Sequence, residues 1–202
     1  METILKLDGQ ILLWIQNTIR SDLLTPFFKW ITSLGNGGMI WIGITILLLL
    51  FPKTRKTGYM TAAALLLSLF INNFWLKNWI ARIRPYETVD GLVRIIGRQK
   101  DYSFPSGHTA SSLCAAVVLM RIGLYNKRLK CSKERIPHGV YFPFYAGVIA
   151  MILAVLISIS RLYVGVHYPT DVLGGAITGI LIGWFVVEVF QRNHWFIRNE
   201  SL

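Results

Sequence analysis

The sequence predicts an all-α protein, a multi-pass bundle of transmembrane helices preceded by amphipathic helices that lie in the membrane interface. Hydrophobic residues make up 53% of its 202 positions, and the mean hydropathy is positive. Five apolar runs, at 36–52, 57–78, 107–126, 140–160 and 170–190, approach the ~20 residues that a helix needs to cross a hydrocarbon core. Basic loops alternate with these runs, and 21 Lys and Arg against 10 Asp and Glu give a formal net charge of +11. A nucleic-acid binder of this size would be more polar and would spread its cations along exposed faces, so composition excludes that class.

Ahead of the spans, residues 4–19 and 23–34 mix Leu12, Leu13, Trp14, Ile15, Phe27, Phe28 and Trp30 with Lys6, Asp8, Arg20 and Lys29. That pattern fits helices lying in the interface. The chain is accordingly expected to form one domain over 1–202, with 1–35 interfacial and 36–202 a transmembrane core. The opening Met-Glu-Thr has no basic n-region or cleavage site, so no removable signal peptide is expected.

Charge in the loops sets the orientation. Lys53, Arg55 and Lys56 form one basic cluster, and Arg121, Lys127, Arg128, Lys130, Lys133 and Arg135 form another two spans later. Alternation puts both on the side of Arg192 and Arg198, and an excess of Lys and Arg marks that side as cytoplasmic. The stretch 126–135 reads as a solvated loop. Gly175, Gly179 and Gly183, four apart on the last helix, line one face where a neighbour can approach closely. Cys114 and Cys131 have no CxxC spacing and read as structural or incidental.

Three polar islands remain, and the alternation places all of them on the extracytoplasmic side. In the first, Lys77 and Arg84 are seven residues apart and so lie almost on one helical face, with Asn73 a turn earlier. Pro85 disfavours helical geometry at Arg84, so this helix is expected to end there. Alone, Lys77, Arg82 and Arg84 also fit interfacial anchors. In the second island, Pro105-Ser106-Gly107-His108, Ser106 is a good N-cap and Gly107 allows close backbone approach. The free N–H groups of such a helix start suit a phosphate, although a capping serine needs no function. The third begins with Ser160-Arg161 at the end of an apolar run and continues through His167 to Asp171. Pro169 suits the first turn of the following helix, which brings Asp171 close to His167. A carboxylate that holds one imidazole N–H leaves the other nitrogen free as base or nucleophile. Singly, Asp171 also fits a helix-dipole partner and His167 an interfacial polar residue.

Jointly the islands are costly, since a Lys, Arg or Asp at the membrane centre costs about 2.5 to 3.5 kcal/mol and usually marks function. Lys77 with six residues before Arg84-Pro85, then Pro105-Ser106-Gly107-His108, then Ser160-Arg161 with five residues before His167 and three more before Asp171 resembles the type 2 phosphatidic acid phosphatase (PAP2) superfamily. That family also includes vanadium haloperoxidases and glucose-6-phosphatase. The likeness covers 77–171, about half the chain, and departs from it in having five spans where bacterial members commonly have six. It implies a PAP2/haloperoxidase-like core and a multi-pass membrane lipid phosphatase. In it His167 would be the nucleophile, Asp171 its orienting partner and His108 the general acid and base. Lys77, Arg84, Arg161, the Ser106 hydroxyl and the Gly107 backbone would hold the phosphoryl oxygens.

The resemblance implies no cofactor, and the sequence offers no carboxylate cluster of the kind that holds magnesium. The implied partners are membrane lipids and a lipid phosphate or diphosphate, with no nucleic acid. Undecaprenyl diphosphate is the expected substrate, because Arg94, Arg98 and Lys100 beside the site are suited to a second phosphate. Phosphatidylglycerophosphate and phosphatidic acid are the alternatives, and a non-catalytic phospholipid-binding protein is a third reading.

Overall fold

Among the described residues, 2–193, the computed structural model is built from helices alone. Arg198, counted above with the cytoplasmic cluster, lies outside the described residues. The order is α1 (Glu2–Trp14), α2 (Leu24–Leu34), α3 (Met39–Leu50), α4 (Arg55–Ser68), α5 (Lys77–Ile80), α6 (Pro85–Thr88), α7 (Gly107–Cys131), α8 (Phe144–Tyr163) and α9 (Pro169–Arg192). A wider π-helical stretch, Leu69–Leu76, joins α4 to α5.

Four helical segments are long and apolar enough to cross a membrane: Arg55–Thr88, Gly107–Cys131, Phe144–Tyr163 and Pro169–Arg192. A fifth arises if α2 and Asn36–Leu50 count as one span bent by 47°. This pairing gives the short run at 36–52 a physical context. Gly37 and Gly38 break the helix with positive φ, so residues 24–34, expected in the interface, meet α3 at an angle.

The bundle is greasy on the outside. Leu66, Phe70, Ile149, Leu173, Ile177 and Leu181 are exposed, as suits helices whose outer faces meet lipid and whose backbone hydrogen bonds are satisfied internally. Helix α7 is central, with 67% of its apolar window buried against 28–39% in the other three spans. It packs on α4, α8 and α9. The glycines on α9 explain how closely two of these helices meet. A Cβ at Gly175, Gly179 or Gly183 would lie 2.6 Å from the carbonyl oxygen of Ser106, Ala110 or Cys114 respectively, so only glycine permits this backbone contact.

The structure corrects several expected boundaries. Helix α7 continues to Cys131, so much of the predicted loop at 126–135 is helical, and α8 continues to Tyr163, so Arg161 is in its last turn. The helix carrying Lys77 ends at Ile80, four residues before Arg84. Ala81 is left-handed at φ 48°, and Arg84 is extended under the constraint of Pro85. Lys77 and Arg84 therefore do not share a helical face. They converge because the chain turns back.

Candidate active site

Lys77, Arg84, Gly107, His108, Arg161 and His167 line one cavity of about 360 Å³. Ser106 and Asp171, both fully buried, are not part of its lining. A larger hollow of about 760 Å³, beside Lys53, Arg135 and His138, contains none of the motif residues.

Each polar island supplies its part through local geometry. Ser106 caps α7, its Oγ accepting from the Thr109 backbone N–H at 3.4 Å. The hydroxyl is therefore turned into the helix end and away from the cavity. His108 follows in the first turn, with Nε2 3.1 Å from Asn36 Oδ1 at the α2–α3 break. Gly35 makes room for that ring, since a Cβ there would lie 2.7 Å from His108 Cδ2. Gly107 likewise lies against Asn73, whose Oδ1 would be 2.9 Å from an added Cβ.

His167 is in the short turn between α8 and α9 and only 1% exposed. Its Nε2 is 3.3 Å from Arg84 Nη1, and its Nδ1 is 3.4 Å from Asp171 Oδ2. The second contact is an ion-pair distance without hydrogen-bond geometry, leaving Nδ1 without a partner. Burial, with Arg84, Arg161 and Lys77 close by, keeps this imidazole well below its ordinary pKa of 6.5. A neutral ring has a lone pair to offer, as a nucleophile must.

The three cations are 1–5% exposed. Arg84 donates Nη1 to the Val166 carbonyl and Nε to that of Asp101, both at 2.8 Å. Arg161 donates Nη1 to Thr32 Oγ1 at 2.6 Å, while its Nε and Nη2 are buried without partners. Unpaired donors of this kind are costly unless a ligand satisfies them. Lys77 Nζ and Arg84 Nη2 both contact the carboxylate of Asp101, the latter at 2.6 Å.

Sequence reasoning missed the residues behind His167. Arg82 donates to Asp171 Oδ1 at 2.7 Å, to Asp8 Oδ2 at 2.8 Å and to Thr170 Oγ1 at 2.6 Å, with its guanidinium 3.8 Å from the Tyr168 ring centroid. Asp171 also accepts from the Ser103 hydroxyl, and from the Tyr168 backbone N–H at 2.9 Å. Far from being a headgroup anchor, Arg82 ties α1 to the start of α9. A signal existed at Asp8, which shares a buried face with Leu12 on α1 and with Ile15 just beyond its end, at i, i+4 and i+7. Asp101 and Ser103 lie in an irregular loop with no periodicity to reveal them.

Beside the first cavity lies a second of about 710 Å³, lined by Arg82, Arg98 and Lys100 and sharing Lys77, Arg84, Gln99 and Asp101 with it. Arg98 is paired with Glu87 at 2.7 Å. Arg94, the third basic residue considered for a second phosphate, instead donates to the Ile96 carbonyl at 2.7 Å and is absent from this lining. Among the described residues, no three His, Cys, Asp or Glu side chains gather as a metal site, and Lys77, Arg84 and Arg161 bring positive charge to the cavity.

The family model of the PAP2 superfamily matches residues 57–195. The chain is 31% identical over 150 residues to an undecaprenyl-diphosphatase of Sulfolobus acidocaldarius, an alignment spanning 74% of this chain and 63% of that protein. It is 30% identical to a lipid A 4'-phosphatase of Porphyromonas gingivalis, over 96% of this chain and 78% of the relative. The crystal structure of a PAP2-type phosphatidylglycerolphosphate phosphatase from Bacillus subtilis superposes with a TM-score of 0.75 at 25% identity, covering 100% of this chain and 90% of that one. Against the Sulfolobus protein, the chain spans less than two thirds of the relative's length.

Proposed function

The chain belongs to the PAP2 superfamily, and from that premise we propose that it is a metal-independent lipid phosphatase whose active site faces the extracytoplasmic side of the membrane. The carrying observation is the convergence, in one cavity, of a buried imidazole, a second imidazole and three cations. His167 Nε2 attacks phosphorus in line with the leaving oxygen. The P–N bond forms as the P–O bond breaks, and His108, in its protonated form, gives the departing oxygen a proton. Water then attacks the phosphohistidine while His108 takes its proton, and the P–N electron pair returns to His167. Such acid–base assistance contributes about 10² to 10⁴ in rate. Lys77, Arg84 and the open donors of Arg161 hold the phosphoryl oxygens and stabilise charge as it develops.

The favoured substrate is undecaprenyl diphosphate, converted to undecaprenyl phosphate. The adjoining cavity, which shares Lys77 and Arg84 with the first and adds Arg98 and Lys100, supports this reading because it offers further cations to a second phosphate. The Sulfolobus relative, described as an undecaprenyl-diphosphatase, points the same way. Phosphatidylglycerophosphate is the second reading, favoured by the full-length likeness to the Bacillus enzyme, with phosphatidic acid beside it.

Phosphate release in detergent from these three lipids, with and without a chelator, tests the proposal. Chelator-insensitive turnover, fastest on the diphosphate and inhibited by millimolar vanadate, is expected. No release from any of them would support a non-catalytic binding protein, and faster turnover of phosphatidylglycerophosphate would reverse the substrate order.

A further inference from the structure

The cradle contains one anion that the phosphatase chemistry does not use. Asp101 presents Oδ2 to Lys77 and Oδ1 to Arg84, so a single carboxylate bridges two of the three cavity cations. A carboxylate offers two oxygens on one carbon much as a phosphate offers two of its oxygens on one phosphorus, and it takes the same guanidinium and ammonium donors. We propose that Asp101 is an internal occupant of the phosphoryl cradle, a tethered competitor that substrate phosphate displaces before Lys77 and Arg84 can both bind it. The inference rests on the reading of the cavity as a phosphatase site.

The partners differ in their freedom to move. Lys77 and Arg84 have side chains 6% and 4% exposed, whereas that of Asp101 is 50% exposed. Arg84 is held from two other directions by the carbonyls of Val166 and Asp101 itself. The Asp101 backbone is thus fastened to the cradle while its carboxylate faces an opening. Rotation about the side-chain bonds releases both cations without moving the loop. Asp101, with Lys77, Arg84 and Gln99, lines both cavities, so its carboxylate stands at their junction.

Burial raises the Asp101 pKa, but Lys77 and Arg84 outweigh it and bring the group down from its ordinary 3.8 to about 2. The carboxylate is therefore charged, and a competitor, throughout the physiological range. Its presence also limits the repulsion among Lys77, Arg84 and Arg161 while no phosphate is bound. A free phosphate sees only the fraction of molecules in which Asp101 has swung out. With a tenth of the population open, apparent affinity is about tenfold weaker than the intrinsic value.

The test uses the full chain in detergent, with inorganic phosphate as probe and titration calorimetry as readout. Asp101→Asn keeps the shape and the backbone contact but removes the charge, and is expected to bind phosphate about tenfold more tightly. Asp101→Glu keeps the charge on a longer arm and is expected to stay near wild-type affinity. Unchanged or weaker binding by Asp101→Asn would overturn the proposal and make Asp101 a support for its cations. Equal tightening in both variants would also overturn it, because a loop contact and not the charge would then be the obstacle. Should Asp101→Asn fail to fold, the wild-type structure with vanadate bound decides: the Asp101 oxygens are expected off Lys77 and Arg84, and retention of both contacts refutes displacement. Wild-type protein that neither binds nor releases phosphate would remove the phosphatase reading itself, and the competitor with it.

Discussion

Behind the His167 ring, Asp171 accepts from Arg82, Ser103 and the Tyr168 backbone, while in front of it Arg161 keeps two buried donors unpaired. The rear cluster joins α1, the segment after α5, the 103 loop and α9, and its carboxylates are saturated with donors. The front carries an excess of positive charge, and among the described residues the carboxylate paired with it is that of the half-exposed Asp101. The rear is densely networked, although Arg82 Nε is buried there without a partner, while in front Arg161 leaves two donors open. Lesions on the two sides should therefore fail differently, the rear in stability and the front in turnover.

His167→Ala is the largest of these lesions and is expected to lower phosphate release by roughly four orders of magnitude or more while the protein still folds. Full activity in this variant would refute the assigned nucleophile. Arg82→Gln leaves Asp8 and Asp171 without their charge partner in buried positions, a loss of about 3 to 5 kcal/mol in unfolding free energy. An unchanged melting temperature would break the contrast from the rear side. Arg161→Gln is its counterpart in front, expected to lower kcat by about 10² to 10³ with little change in melting. A large fall in melting temperature would show that its unpaired donors belong to the fold.

A pH series sharpens the same line. Unfolded His167 takes up a proton near its ordinary pKa of 6.5, and the folded form resists it. Below 6.5 the unfolded chain therefore binds more protons, and stability falls with acidification by up to about 1.4 kcal/mol per pH unit. Unfolding of wild type and His167→Gln from pH 8 to 5 should show that slope reduced in the variant. Equal slopes would mean that other groups carry the acid sensitivity. The smallest effect belongs to Glu87→Gln, which breaks an exposed pair with Arg98 and should change stability by less than about 1 kcal/mol.

The spans and the residues at their mouths were legible because apolar length and helix-start chemistry are local. The Ser106 cap, Pro169 in the first turn of α9 and the glycine face of α9 stand where spacing puts them. The end of the Lys77 helix was not legible. Pro85 announces an extended Arg84, but nothing in the residue pattern announces the left-handed Ala81 that stops the helix earlier. The role of Arg82 was not legible for a related reason: two residues before Arg84 in a non-helical stretch, it faces Asp8 and Asp171, partners 74 and 89 positions away. Asp101 eluded pattern altogether, since its partners are set by a loop's return path.

The glycine face of α9 also acts as a gauge for the chemistry. Gly175, Gly179 and Gly183 rest on successive carbonyls of α7. The two helices begin at the third and second islands, so the depth of that contact fixes how far Asp171 stands from the turn bearing His108. Gly183 is twelve residues below Asp171, about 18 Å at the rise of an α-helix. A single methyl group added there would wedge the helices apart near the far end of the bundle and tilt the spacing between imidazoles it never touches. The spacing of the two helix starts is thus set well down the bundle, by the absence of side chains.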